Sequence, residues 1–216
     1  MEQVVLKEWQ KKAIDFVFSK SELSNFYLTG GTALAGYYLN HRISDDLDLF
    51  SPDDFDSMFI HAIAEDLRKI IGAEKIRFSK LYDRNQFFYW LNDEECKVEF
   101  TKYPFKTLKE SEHFNNARID SQFDIAVNKL VTITDRFDPK DFVDLYFLLQ
   151  KYSLVELREG LLIKFKIQLD SITIGSSFAK VRNIEALPKM IKPLTVEELK
   201  EFFNSEAKKI SPLVIG

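Results

Sequence analysis

The sequence predicts an α+β fold: an N-terminal mixed or antiparallel sheet with flanking helices, packed against a C-terminal helical unit. Three observations carry this. Short runs of β-branched and aromatic residues, separated by turn residues, recur as far as Tyr103. From Pro104 onward the apolar spacing becomes helical and stays so. Only 7 Gly and 6 Pro occur among 216 residues, so no stretch reads as a linker between the halves. Residues 1–118 are therefore expected to form the α/β unit, and residues 119–216 a helical unit that completes an active-site cleft.

Trp9, Ala13, Phe16 and Val17 recur at helical spacing and predict an amphipathic helix from about Leu6 to Ser19. Phe26 to Thr29 reads as a short strand entering the Gly30-Gly31 turn. Thr32 is placed to cap a helix over Ala33 to Asn40, and Leu47 to Phe50 reads as a second strand. In Ser51-Pro52-Asp53-Asp54, a serine N-cap, a proline at the first position and acids in the first turn predict a helix start. Its apolar stripe, Phe55, Phe59, Ile63, Leu67 and Ile70, runs to about Ile71. Lys75 to Leu81, Gln86 to Leu91 and Cys96 to Tyr103 are β-type runs, with Asp83-Arg84-Asn85 and Asn92-Asp93-Glu94 as turns. They predict an antiparallel meander continuing the first sheet. Ser121 to Thr134 and Pro139 to Lys151 read as helices, the second capped by Asp138. Ser153 with Glu156, and Thr195 with Glu198, are capping boxes that open two more.

A hydrophobic content of 45% with 30% charged residues is that of a soluble globular protein, and 20 phenylalanines supply bulk for the core. The net charge of −4 argues against general affinity for nucleic acid, which rests on neutralised phosphates. Lys164, Lys166, Lys180, Arg182, Lys189, Lys192, Lys208 and Lys209 nevertheless tilt the last third towards positive charge. The lone Cys96 excludes a disulfide framework and a cysteine zinc site. His41, His61 and His113 lack metal-ligand spacing and read as core or surface residues. Met1 to Glu8 has neither the basic start nor the apolar core of a signal peptide, and no apolar run reaches membrane-spanning length. A cytoplasmic protein with no membrane partner is expected.

The segment from Phe26 to Phe50 carries the chemistry. Strand side chains alternate, so Asp46 and Asp48 face one side, about 6.5–7 Å apart at ~3.3 Å per residue. Two such carboxylates are able to flank Mg²⁺, which prefers a few carboxylates, waters and substrate phosphates. Gly30 and Gly31 permit positive φ and close backbone approach, and with Thr32 opening a helix their N–H groups are placed to hold a triphosphate. An acidic strand edge beside a tight turn is the plainer reading of the same residues. No P-loop pattern occurs anywhere in the chain.

Gly31-Thr32, thirteen residues, then Asp46-Leu47-Asp48-Leu49 resembles the signature of the polymerase β-like nucleotidyltransferase superfamily. Within it, Leu28-Thr29-Gly30-Gly31-Thr32-Ala33-Leu34 followed by His41-Arg42-Ile43-Ser44-Asp45-Asp46-Leu47-Asp48 is similar to the AbiEii/AbiGii-type toxin family. The resemblance covers residues from about 26 to 150 and implies a nucleotidyltransferase-type sheet. It also implies an Mg²⁺-dependent enzyme that transfers NMP from an NTP to a tRNA or other RNA end. Such an enzyme acts as the toxin of a toxin–antitoxin or phage-defence system, with an antitoxin encoded by a neighbouring gene.

The same resemblance implies a third carboxylate on a later strand. Glu99, within Val98-Glu99-Phe100, fits as metal ligand or general base, though Lys97 and Thr101 share its face and an outward-facing charge would look alike. It implies a nucleotide-binding lysine on a helix, matched by Lys129, and an acidic pair on the next helix, matched by Asp141 and Asp144. Lys140 stands where the family more usually has Arg. Lys129 lies among Ala126, Leu130 and Ile133, so it needs either a phosphate or a carboxylate. Asp141 and Asp144 are candidates for a direct catalytic role or for pairing with Lys129. Arg42 and Ser44 match the pattern ahead of the Asp pair as phosphate contacts or as a solvated loop. Two further readings keep the fold: transfer to a small molecule or protein side chain, and a non-catalytic nucleotide-binding module.

Overall fold

Strands Tyr27–Thr29 (β1), Leu47–Ser51 (β2), Lys75–Leu81 (β3), Arg84–Leu91 (β4), Glu94–Lys102 (β5), Glu112–Phe114 (β6) and Ala117–Ile119 (β7) form one mixed sheet in a computed structural model. The model describes residues 5–210; Met1 to Val4, half of the stretch read above for a leader, lie outside the described residues. The strand order is β3-β4-β5-β2-β1-β7-β6. Strands β3, β4 and β5 are the expected antiparallel meander, and β5 joins the first strands by pairing parallel to β2. The α+β class read from the sequence is the one found.

The sheet belongs to the first of two compact units, which among the described residues takes in 5–38, 44–106 and 110–121. Alternation divides its faces. Leu47, Leu49, Phe87, Tyr89, Val98 and Phe100 are buried on one. Helix Ser57–Ile71 (α3) covers that face with Ile60, Ile63, Ala64 and Leu67, and the Tyr89 hydroxyl donates to the Ala64 carbonyl. Helix Glu8–Phe18 (α1) packs on α3. Asp48, Lys97 and Glu99 lie on the opposite face.

Local sequence explains the departures. Ser51 does not cap α3: it pairs with Lys102 in the β2–β5 ladder, so the strand runs through it. The helix waits for Asp56, whose carboxylate accepts from the Met58 amide, and ends at Gly72 in the left-handed conformation. The turn expected at Asp83 to Asn85 tightens to Tyr82-Asp83, with Arg84 already in β4. The β6–β7 hairpin lies where only helix was expected. Asn115, at φ 53°, makes its turn, and β7 finds its partner in β1 (Leu28 opposite Ile119) rather than in its own short sequence.

The second unit comprises, among the described residues, 39–43, 107–109 and 122–210. Its helices are Gln122–Asp135 (α4), Pro139–Leu148 (α5), Leu154–Phe165 (α6), Ser171–Ala179 (α7) and Val196–Ile210 (α8) (α2 precedes β2 and belongs to the candidate site). Asp138 caps α5 and both capping boxes are formed. Phe142, Phe178 and Phe203 meet edge-on in the core. Lys164 and Asp124 are buried together at 2.7 Å, and Asp124 also accepts the amides of Leu108 and Lys109.

Candidate active site

The glycine turn is set by what stands opposite it. β1 runs antiparallel to β2 with Thr29 opposite Asp48. Thr29 is pinned by its hydroxyl, which donates to Asp120 at 2.7 Å, while Tyr38 donates to the Asp120 carbonyl. At Gly30 the chain turns at φ 73°, and a Cβ there would lie 2.4 Å from Asp48 Oδ2. Glycine is required twice over, by backbone conformation and by the carboxylate pressed against it. Gly31 is not among the positive-φ residues.

The helical turn Gly30–Ala33 (α2) begins at the glycines and widens into a π-helical run, Leu34–Leu39. Thr29, not Thr32, holds the capping position. Thr32 sits inside the turn, and its hydroxyl donates to the Asp46 carbonyl. It therefore ties the turn to the residue just ahead of β2. The expected cap moves because the helix starts three residues earlier than the glycine spacing implied.

Asp48 and Glu99 are direct neighbours across the parallel β2–β5 ladder. Asp46 lies one residue before β2. All three carboxylates surround one ammonium. Lys97 Nζ is 3.6 Å from Asp46 Oδ2, 3.6 Å from Asp48 Oδ1 and 3.4 Å from Glu99 Oε2. Exposure rises across the group: Glu99 is 1% exposed, Asp48 25% and Asp46 48%. Gln86 Nε2 and the Thr101 hydroxyl each donate to Glu99 at 2.8 Å, and Arg84 Nε stands 3.6 Å away. Burial pushes the Glu99 carboxyl up, but Lys97, these two hydrogen bonds and Arg84 outweigh it and hold it below the usual carboxylate range. Burial pushes Lys97 down, and Asp48, Asp46 and Glu99 outweigh it, so its ammonium is held charged.

Among the described residues, no three His, Cys, Asp or Glu side chains are arranged to hold a metal ion as they stand. The donor set still fits a hard cation. It is all oxygen, and the point it surrounds already holds a positive group.

Of the remaining sequence candidates, Arg42, Lys129, Asp141 and Asp144 gather within the second unit. Asp144 is fully buried and accepts from Arg42 Nε at 2.6 Å and Nη2 at 2.8 Å, from His41 Nε2 at 2.8 Å, and from Lys129 at 2.6 Å. Lys129 also reaches Asp141 at 2.7 Å, and Arg136 caps the far side of Asp141 at 2.8 Å. The fold itself supplies Lys129 with carboxylate partners. Arg42, 2% exposed, is neither in solvent nor in an open loop. Ser44 lies in the first unit, its carbonyl accepting from Gln10.

Burial pushes Asp144 up, yet Lys129, Arg42 and His41 together hold it well below the carboxylate range. His41 is pushed down by burial, only partly opposed by Asp144. Its Nδ1 is buried without a hydrogen-bond partner among the described residues. Sequence reasoning missed Lys97 and His41 as members of these clusters. The alternation that put Lys97 on the face of Glu99 was the available signal for the first. For His41 there was none, since its partner lies 103 residues away.

The profile of the nucleotidyl transferase AbiEii toxin family, a type IV toxin–antitoxin system, matches residues 16–212. The chain is 34% identical over 209 residues to an uncharacterized protein of Aquifex aeolicus (strain VF5), covering 94% of this chain and 96% of that one. Among solved structures, JHP933 from Helicobacter pylori matches with a TM-score of 0.62 at 21% identity, over 97% of this chain and 92% of that one. MenT4, a nucleotidyltransferase toxin of Mycobacterium tuberculosis H37Rv, matches with a TM-score of 0.57 at 12% identity, over 93% and 81%. At such identities these two structures speak for the fold alone. Among the described residues, no helix is long and apolar enough to cross a membrane.

Proposed function

Because the chain belongs to the AbiEii nucleotidyl transferase toxin family, we propose that it transfers NMP from an NTP to the hydroxyl of an RNA end, tRNA foremost, and arrests growth as a toxin. The observation that carries the reading is the registration of Asp48 beside Glu99, with Gly30 pressed against Asp48. A backbone turn able to approach phosphates thus abuts a carboxylate cluster. In the reaction, the acceptor oxygen bonds to the α-phosphorus as the bond to the bridging oxygen breaks and pyrophosphate leaves.

Asp46, Asp48 and Glu99 would hold Mg²⁺, which when bound would neutralise the phosphates and polarise the α-phosphoryl group. Gly30, Gly31 and Thr32 orient the triphosphate through their backbone. Glu99, kept ionised by its surroundings, accepts the proton from the acceptor hydroxyl. Most of the rate gain comes from positioning and charge neutralisation. Arg42, Lys129, Asp141 and Asp144 serve in this reading as the buried scaffold of their unit, since each is already ion-paired there. An antitoxin encoded by a neighbouring gene and a cytoplasmic location complete the proposal.

Incubation with α-labelled NTPs and total RNA, and separately with a protein lysate, tests it. Label on RNA that disappears in Asp48→Asn is the expected outcome. Label on protein instead would move the acceptor to a side chain, a possibility the net charge of −4 keeps open.

A further inference from the structure

Lys97 has no role in the reaction as proposed, yet it occupies the centre of the cluster. It sits two residues before Glu99 on β5, on the same face, with Asp48 of β2 on the neighbouring strand. Its side chain is 20% exposed, so most of it is out of solvent. The nitrogen lies at nearly equal distance from three carboxylates on three separate sequence positions. An ordinary surface ion pair has one partner and a loose geometry. This one has the arrangement of a cation site with a protein cation in it. Among the described residues, the carboxylate that Arg84 pairs with is Glu99, and its side chain is half exposed, so Lys97 is the cation at the aspartates.

We infer that Lys97 is a resident counter-ion that competes with a divalent cation for Asp46, Asp48 and Glu99. The inference rests on the proposed metal–nucleotide site. Two cations cannot share one point a few ångströms across without strong repulsion. For metal to enter, the ammonium has to leave. A bare metal ion offers a displaced ammonium nothing in return. A metal–NTP complex brings anionic phosphates that give it a new partner. The device therefore disfavours idle metal loading and favours loading together with nucleotide.

Mn²⁺ alone, followed by calorimetry and by the EPR signal of the free ion, is the probe. Lys97→Met should bind Mn²⁺ about tenfold or more tighter than the unsubstituted protein, as expected when one positive charge leaves a crowded anionic site. Lys97→Arg should bind like the unsubstituted protein. The advantage of Mn²⁺–NTP over Mn²⁺ alone should shrink in Lys97→Met. Melting temperature is a second readout: Lys97→Met should melt lower without metal and gain more from Mn²⁺. Lys97→Gln repeats the test should the methionine variant fail to fold.

Asp48→Asn separates the ways to be wrong. If it weakens Mn²⁺ binding while Lys97→Met leaves affinity unchanged, the metal site stands and the competition is overturned. If Asp48→Asn changes nothing and no variant binds Mn²⁺ at these carboxylates, the metal assignment itself falls, and the inference with it.

Discussion

The carboxylate cluster on the sheet and the one among the helices, one in each unit, are built to different rules. On the sheet, Asp46, Asp48 and Glu99 face the single central Lys97, and two of the three carboxylates remain partly exposed. Among the helices, Asp141 and Asp144 are matched by Arg42, Lys129 and Arg136, and both carboxylates are at most 1% exposed. The first cluster keeps negative charge in excess where solvent reaches it. The second has no such excess, and its carboxylates are shut away. A buried charge without full compensation is costly, so the helical cluster has to be complete in itself. An open cluster tolerates imbalance, and that imbalance is what a cationic ligand would exploit. Composition alone does not distinguish the two; burial and the ratio of signs do.

Breaking each cluster at its central carboxylate should give opposite phenotypes. Asp48→Asn should lower nucleotidyl transfer by roughly 10²–10³-fold or more, with urea stability nearly unchanged. Asp144→Ala should do the reverse in kind. It strands Arg42 as a buried charge, leaves Lys129 with Asp141 alone, and should cost about 3–5 kcal/mol, read from the urea midpoint at constant slope. A variant of Asp144 that folds normally but loses only activity would overturn the assignment of that cluster to scaffolding.

Gly30→Ala sharpens the comparison on the sheet side. The methyl group would stand 2.4 Å from Asp48 Oδ2, in a backbone conformation that costs a non-glycine residue about 1–2 kcal/mol. Asp48 has to move or the turn has to open. Stability should fall by about that strain, while activity falls about tenfold or more because the carboxylate is displaced. Equal proportional loss of both would mean the glycine serves the fold only.

How much of this was legible in the sequence depends on how local the cause was. The strand, glycine turn and acidic strand from Phe26 to Phe50 are written in adjacent residues, and Asp138, Ser153 and Thr195 announce their helices in four-residue windows. Ser51-Pro52 carried a false helix signal because strand pairing with Lys102 outranks a favourable cap. The β6–β7 hairpin stayed hidden because three-residue strands have no period to read, and β7 exists by docking on β1. In the candidate site, Asp48 and Glu99 were legible as residue types, but their adjacency is a matter of register. Lys97 was visible as a neighbour on the strand and illegible as the centre of three carboxylates. Lys129 was legible as a lysine in need of a partner, and only the fold names the partner.

Acid gives the smallest and most reversible difference between the clusters. His41 donates through Nε2 to Asp144, so its buried Nδ1 is the atom that would take up a proton, and among the described residues no partner is there to receive the charge. Burial holds its folded-state pKa below the ordinary 6.5, so the unfolded chain binds this proton first as pH falls. Stability therefore declines as pH drops from about 6.5 towards the lowered folded value. Asp144 adds a second decline at lower pH. Its folded pKa lies well below 3.8, so the stability it supplies is complete above its unfolded value and is lost as pH falls towards the folded one. His41→Gln offers Asp144 an amide donor in a group that does not titrate. Urea midpoints measured from pH 8 to pH 4 should show the upper decline in the unsubstituted protein and not in His41→Gln, while Lys97→Met leaves that decline in place. If His41→Gln keeps the same slope, the proton that weakens the helical unit binds elsewhere.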